Sequence, residues 1–159
     1  GLTPLDLAVS FGELNVVEVL LAKGADANHV TVDGWSALCY ACQGGKLPVV
    51  QMLLDKGQAQ VGMRTVKGAT PLSIAAKNGF FSICTLLLEE GRGAQVNTKN
   101  CLGASPIWRA AENGHLEVSL PSCPSSLIVF LFRWLSYYIS MVGFWMMWTT
   151  KAYPCSMQP

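Results

Sequence analysis

The sequence predicts an all-α fold, a solenoid of stacked helix-turn-helix units joined by hairpin-like loops. Three observations predict it. The line Gly1-Leu2-Thr3-Pro4-Leu5-Asp6-Leu7-Ala8 returns as Gly34-Trp35-Ser36-Ala37-Leu38-Cys39-Tyr40-Ala41, then as Gly68-Ala69-Thr70-Pro71-Leu72-Ser73-Ile74-Ala75. A fourth copy reads Gly103-Ala104-Ser105-Pro106-Ile107-Trp108-Arg109-Ala110, and the offsets are 33, 34 and 35 residues. A fixed period in this range marks an array of supersecondary units. Second, each of the first three copies is followed by an apolar run with steps of three and four, the spacing of a helix with a broad buried face. Third, a glycine stands where each short first helix should stop. One such unit cannot bury its own apolar face, so the units must stack.

In the first unit Thr3 is placed to N-cap a helix, and Pro4 suits its first turn, where no amide is needed. Leu5, Leu7 and Ala8 carry that helix towards Gly12. A second helix starts at Leu14 and holds Val16, Val17, Val19, Leu20 and Leu21, with Gly24 placed for a left-handed C-cap. Ala25-Asp26-Ala27-Asn28 leads through an extended, turn-rich link to the next copy. In the second unit Ser36-Ala37 replaces Thr-Pro, which predicts a weaker helix start, and Val49-Val50-x-Met52-Leu53-Leu54 forms the second helix. The third unit restores Thr70-Pro71 and continues with Ile83-Cys84-x-Leu86-Leu87-Leu88. Loops 57–61 and 91–97 carry one and two extra residues, insertions that surface loops absorb cheaply. The array is expected to cover residues 1–118, divided as 1–33, 34–67, 68–102 and a partial unit 103–118.

The text changes character near Val118. A linker at 119–126 contains Pro121 and Pro124, which stop a helix. An apolar segment, 127–148, begins at Leu127, ends at Trp148 and holds Arg133 as its only charge over 22 residues; a tail, 149–159, follows. No Asp or Glu occurs after Glu117. One reading makes 127–148 a transmembrane helix, since a bilayer core needs ~20 apolar residues. Its Leu, Ile, Val and Phe residues favour insertion by roughly −3 to −6 kcal/mol, against about +2.5 to +3.5 for a central Arg. Trp145 and Trp148 would then sit at one interface. A competing reading makes the tail non-native read-through. Val118-Ser119 can be encoded by the common start of an intron, and it falls where the fourth unit breaks. A third reading is a divergent cap folded on the last repeat, or a disordered tail. Cys123 and Cys155 flank the segment and are palmitoylation candidates if it meets a membrane.

The repeated landmarks resemble the ankyrin repeat. The family pattern is Gly-x-Thr-Pro-Leu-His-x-Ala, Gly-His, Val-Val-x-x-Leu-Leu and Gly-Ala-x-x-Asn. The match covers roughly residues 1–118, and an Ala-x-x-x-Gly step recurs as Ala8/Gly12, Ala41/Gly45, Ala75/Gly79 and Ala110/Gly114. The family's His position holds Asp6, Cys39, Ser73 and Trp108, departures expected to loosen the stack locally. The resemblance implies a protein–protein interaction module, a scaffold or adaptor, with hairpin tips and first helices lining a concave face. Carried over by repeat position, the partner-binding residues are Val32, Asp33 and Trp35, then Val66, Lys67 and Ala69, then Cys101, Leu102 and Ala104. The helix-borne positions are Gln43, Lys77, Asn78 and Glu112. Trp35 is the leading anchor, because a tip aromatic is a typical interface hot spot; packing onto a neighbouring tip is the alternative. Two other functional classes stay open. One is a membrane-anchored or channel-type protein with a cytosolic repeat arm, and the other is the recognition arm of a larger enzyme.

Composition narrows the partners. The 159-residue chain carries nine Lys and Arg against ten Asp and Glu up to Glu117. A nucleic-acid platform normally needs a basic stripe, so none is expected. The start at Gly1, with no polar capping unit before it, reads as a fragment whose bare end faces predict poor solubility. The cysteines form no disulfide framework and no secretory signal opens the chain, so a cytoplasmic location is expected.

No catalytic residue, metal or cofactor is expected. Cys39-x-x-Cys42 lacks the second ligand pair of a zinc site and falls inside a first helix, where packing is the simpler role. His115 holds the family's structural Gly-His position and His29 lies in a loop, which leaves no pairing for nucleophilic catalysis. Oligomeric state is not legible.

Overall fold

The computed structural model describes residues 1–89 and 92–115. The linker 119–126, the apolar segment 127–148 and the tail 149–159 lie outside the described residues, as do Cys123 and Cys155. Seven helices follow in order among the described residues: α1 (Pro4–Phe11), α2 (Leu14–Ala22), α3 (Ala37–Gln43), α4 (Leu47–Asp55), α5 (Pro71–Lys77), α6 (Phe81–Leu88) and α7 (Pro106–Glu112). The first helices form one row, α1 on α3 on α5 on α7; α2, α4 and α6 form a second row behind them. Within each unit the two helices pack against each other: α1 with α2, α3 with α4, α5 with α6. This is the stacked all-α solenoid that the period predicts.

Helix starts follow the chemistry of the repeated line. Thr3, Ser36, Thr70 and Ser105 are N-caps, each hydroxyl accepting from the amide three residues on. The bond is longest at Ser36, 3.4 Å from the Cys39 nitrogen, against 3.1 Å from Asp6 to Thr3. The expectation of loosening at the family's His position needs correction at two sites. Asp6 accepts from the Thr3 amide at 2.9 Å and from its hydroxyl at 2.8 Å, closing a capping box. Ser73 likewise accepts from the Thr70 amide at 2.9 Å. A short oxygen-bearing side chain at the third helical position satisfies a second orphan donor, which compensates the lost imidazole. Trp108 makes no such return bond and is half exposed.

The core runs as one continuous stripe between the helix rows. Leu5, Val9 and Val17 from the first unit meet Leu38, Val50 and Leu53 from the second, and Leu72, Ile83 and Leu87 continue it. Each such side chain contributes about 1.5–3 kcal/mol on burial. Turn glycines let successive units approach: a Cβ on Gly45 would lie 2.6 Å from the Phe80 ring, and one on Gly79 would lie 2.5 Å from the His115 imidazole. His115 is therefore a packing residue over its neighbour's turn, the role its repeat position implies.

The inserted loop after α4 is held from outside its own unit. Asn28 donates to the Gln58 carbonyl at 3.3 Å and accepts from the Gln60 amide at 2.8 Å. Gln58 itself sits at φ 50, left-handed backbone that favours glycine.

Candidate functional site

The candidate site is built on three hairpin tips. Each tip closes with the same set of bonds. Thr31 N–H donates to the Trp35 carbonyl at 2.9 Å, Thr65 N–H to Ala69 at 2.9 Å, and Asn100 N–H to Ala104 at 3.0 Å. The glycine amide in each turn returns to the same residue's carbonyl: Gly34 to Thr31, Gly68 to Thr65, Gly103 to Asn100. The side chains of Thr31, Thr65 and Asn100 accept from Trp35, Ala69 and Ala104 amides and pin the far side of each turn. Adjacent tips are joined by backbone bonds, Val66 N–H to the Asp33 carbonyl at 2.9 Å and Cys101 N–H to the Lys67 carbonyl at 3.1 Å, and the Cys101 thiol donates to the Val66 carbonyl at 3.6 Å.

These tips and the first helices enclose a groove of about 790 Å³. From the first tip come Asp33 and Trp35; from the second Thr65, Val66, Lys67 and Ala69; from the third Asn100, Cys101 and Leu102. Gln43 of α3, with Ser73, Ile74, Lys77 and the α5 C-cap Asn78, forms its floor, and Arg109 of α7 closes it. The sequence-derived residues Asp33, Trp35, Gln43, Val66, Lys67, Lys77, Asn78 and Leu102 are thus brought to one groove. Ala69 and Cys101 join them. Val32, Ala104 and Glu112 do not line it. Val32 projects from the first tip into solvent, and Glu112 is engaged by the Arg109 guanidinium at 2.9 Å.

Trp35 is only partly exposed. Its ring lies 5.2 Å from that of Tyr40 at an interplanar angle of 33°, so its packing partner is its own unit's helix. Much of the polar lining is already used internally. Thr65 and Asn100 hold their turns, Ser73 caps α5, and Asn78 donates to the Ile74 carbonyl at 3.1 Å. Among the described residues the side chains of Asp33, Gln43, Lys67 and Lys77 make no hydrogen bond or ion pair, so they remain available to a ligand.

Five lining residues were missed by reading position alone: Thr65, Ser73 and Asn100, whose side chains hold their own turn or helix start, and two more, Ile74 and Arg109. Both stand one turn before a residue that had been singled out, Lys77 and Glu112, and residues three apart share a helix face. That rule would have found them.

The remaining candidates for chemistry are structural. Cys39 and Cys42 are buried in α3 and Cys84 is buried in α6. Burial raises all three thiols, Cys84 to about 12; neighbouring Cys39 and Cys84 add to the rise at Cys42. Thiols so placed stay protonated and unreactive. His29 comes to 3.5 Å from the buried Asp6 carboxylate through Nδ1, a meeting of loop and helix that spacing does not reveal. No described helix is long and apolar enough to cross a membrane.

Comparison with known proteins agrees with this architecture. The chain is 43% identical over 100 residues to human ankyrin repeat and KH domain-containing protein 1, covering 62% of this chain and 4% of that protein. It is 41% identical over 93 residues to mask-1 of Caenorhabditis elegans, another ankyrin repeat and KH domain-containing protein, covering 56% and 4%. It is 33% identical over 97 residues to the chicken nuclear factor NF-kappa-B p105 subunit, covering 60% and 10%. The chain therefore spans a small fraction of the length of these relatives. A family model described as ankyrin repeats (3 copies) matches residues 1–65 and 58–120. With four in-register copies of the repeated line and the double row of helices, these matches show that the chain belongs to the ankyrin-repeat family, whose members are generally non-catalytic protein–protein interaction modules.

Proposed function

We propose that this chain acts as a scaffold or adaptor arm that binds a partner protein along the tip-and-helix groove, with Trp35 as its anchor. The observation that supports this most is convergence. Residues from three tips and the two helices α3 and α5, each selected by repeat position, share one open groove whose charged members are largely unpaired. An aromatic ring held by Tyr40 is already ordered, so little conformational entropy is lost when a partner covers it.

Affinity capture with the full chain tests the reading. Proteins retained from cell lysate are compared for the unaltered chain, Trp35→Ala, and the exposed pair Val66→Ser/Leu102→Ser. Truncating a hot-spot aromatic costs about 2 kcal/mol or more, roughly 30-fold in affinity. A specific partner lost from both variants supports the groove. A partner retained equally by all three sinks it.

A second reading concerns residues 127–148, whose length and single charge suit a membrane tether for the array. Alkaline extraction of membranes from cells expressing the full chain tests it: retention in the pellet supports the tether, and release removes it.

A further inference from the structure

We infer that the groove selects an extended acidic segment of its partner, laid with an apolar residue against Trp35 and its carboxylates towards Lys67, Lys77 and Arg109. This rests on the reading of the groove as the partner-binding surface and adds the chemistry of the occupant.

The charge distribution carries the inference. Up to Glu117 the chain is close to neutral, with nine Lys and Arg against ten Asp and Glu. The groove is not: its charged lining is Lys67, Lys77 and Arg109 against Asp33 alone. The three cations come from three different elements, the second tip, the end of α5, and α7, and all line the same groove. Of the cations elsewhere, Lys56 pairs with Glu18 and Arg92 bridges Asp55 and Glu89, each at 3.2 Å, while Lys23, Lys46, Arg64 and Lys99 form no ion pair among the described residues; what sets the groove apart is that three cations are gathered in it. Lys67 and Lys77 have no such partner among the described residues. Arg109 gives one nitrogen to Glu112 at 2.9 Å, which leaves other donors of its guanidinium fork for a second carboxylate.

The rest of the lining favours a polypeptide over a nucleic acid. Trp35, Val66, Ile74 and Leu102 offer apolar surface between the cations, and three cations are too few for a phosphate track. Asp33 stands at the Trp35 end, where it repels a carboxylate. A bound segment is therefore polarised, with its acidic part at the α5–α7 end.

Panning a phage-displayed library of random linear peptides on the full chain tests this. Parallel selections use Lys67→Glu/Lys77→Glu, Trp35→Ala and Val66→Ser/Leu102→Ser; the two double variants alter only exposed residues. The expected result is enrichment of net-acidic peptides carrying an apolar residue. Removing both lysines should weaken these by roughly two- to thirtyfold at low salt, less at high salt. The lysine-to-glutamate pair should turn the selection towards basic peptides. Neutral or basic peptides that need Trp35, Val66 and Leu102 but ignore the lysines overturn the charge inference and leave the groove reading standing. No enrichment, or enrichment that none of the variants affects, overturns both. Displacement of the acidic peptides by single-stranded oligothymidine, with a steep salt dependence, overturns the inference in favour of nucleic acid.

Discussion

Replacing Gly34 with alanine should destabilise the chain by about 2–3 kcal/mol, and the same change at Gly103 by only about 1 kcal/mol. Both glycines are left-handed, at φ 73 and φ 77, so both alanines carry the same backbone strain of about 1–2 kcal/mol, reduced by the lower entropy of the unfolded chain. Their surroundings differ. A Cβ on Gly34 would meet the Thr65 Cα and Val66 nitrogen at 3.0 Å and the Arg64 carbonyl at 3.1 Å. These are backbone atoms, which cannot swing aside. The second tip must move, and the bond from Val66 N–H to the Asp33 carbonyl goes with it, a loss of about 1 kcal/mol. A Cβ on Gly103 meets no described atom within 4 Å. Urea unfolding of the two variants, followed by far-ultraviolet circular dichroism, reads the difference directly. Equal costs would refute the claim that tips are stacked backbone to backbone. Gly34→Ala should also weaken binding in the groove, because the displaced tip carries Val66 and Lys67.

Further outcomes follow from the same packing. Gln58→Gly should stabilise by about 0.5–1 kcal/mol by relieving left-handed strain, whereas Asn28→Ala should cost about 1–2 kcal/mol by freeing the Gln58 carbonyl and Gln60 amide; urea midpoints check both. Asp6→Ala should cost about 1–2 kcal/mol and Asp6→Asn less, since the amide oxygen still accepts from Thr3; thermal melts separate them. Native alkylation mapped by mass spectrometry should label Cys101 quickly and leave Cys39, Cys42 and Cys84 unlabelled until urea unfolds the chain. Because folding raises the buried thiols, the folded state keeps protons that the unfolded chain loses above the ordinary value of 9.0. Their contribution is complete below that pH. It falls by about 1.4 kcal/mol per pH unit per thiol as pH rises towards the folded value, about 12 for Cys84. Denaturation midpoints at alkaline pH should therefore drop less steeply in Cys42→Ala and Cys84→Ala.

What was legible in the sequence is what repeats. Four Ser or Thr caps, three of them followed by proline, marked the helix starts, and Gly12, Gly45 and Gly79 marked the turns, because cap and turn chemistry is local. Ten of the thirteen residues singled out by repeat position share one groove, since a stack carries each position to the same place on the next unit. Features that do not repeat were hidden. The approach of His29 to Asp6 joins residues from two parts of one unit without any period to announce it. The Asn28 clamp depends on the extra residue in the next unit's loop, so neither unit alone discloses it. Arg109 escaped because its counterparts are Tyr40 and Ile74, neither charged, and only the helix face unites them.

Equivalent positions of the repeat also differ in burial, which sequence pattern does not reveal. Val16, Val49 and Ile83 occupy the same place in successive second helices, yet Val16 is 47% exposed while the others are 2% and 1% exposed. Each interface stabilises only its two neighbours, as in any one-dimensional stack. The tips show the converse division of labour. Their stacking uses amides, carbonyls and glycines, from Asp33 to Val66 and from Lys67 to Cys101, while the side chains of Val32, Val66 and Leu102 stand almost free in solvent. The ladder that joins the tips is therefore built mainly on backbone atoms and glycines, with the Thr31, Thr65 and Asn100 side chains pinning the turns. The side chains that would meet a partner can change identity without disturbing the ladder beneath them, which is the physical condition for one scaffold to present different surfaces.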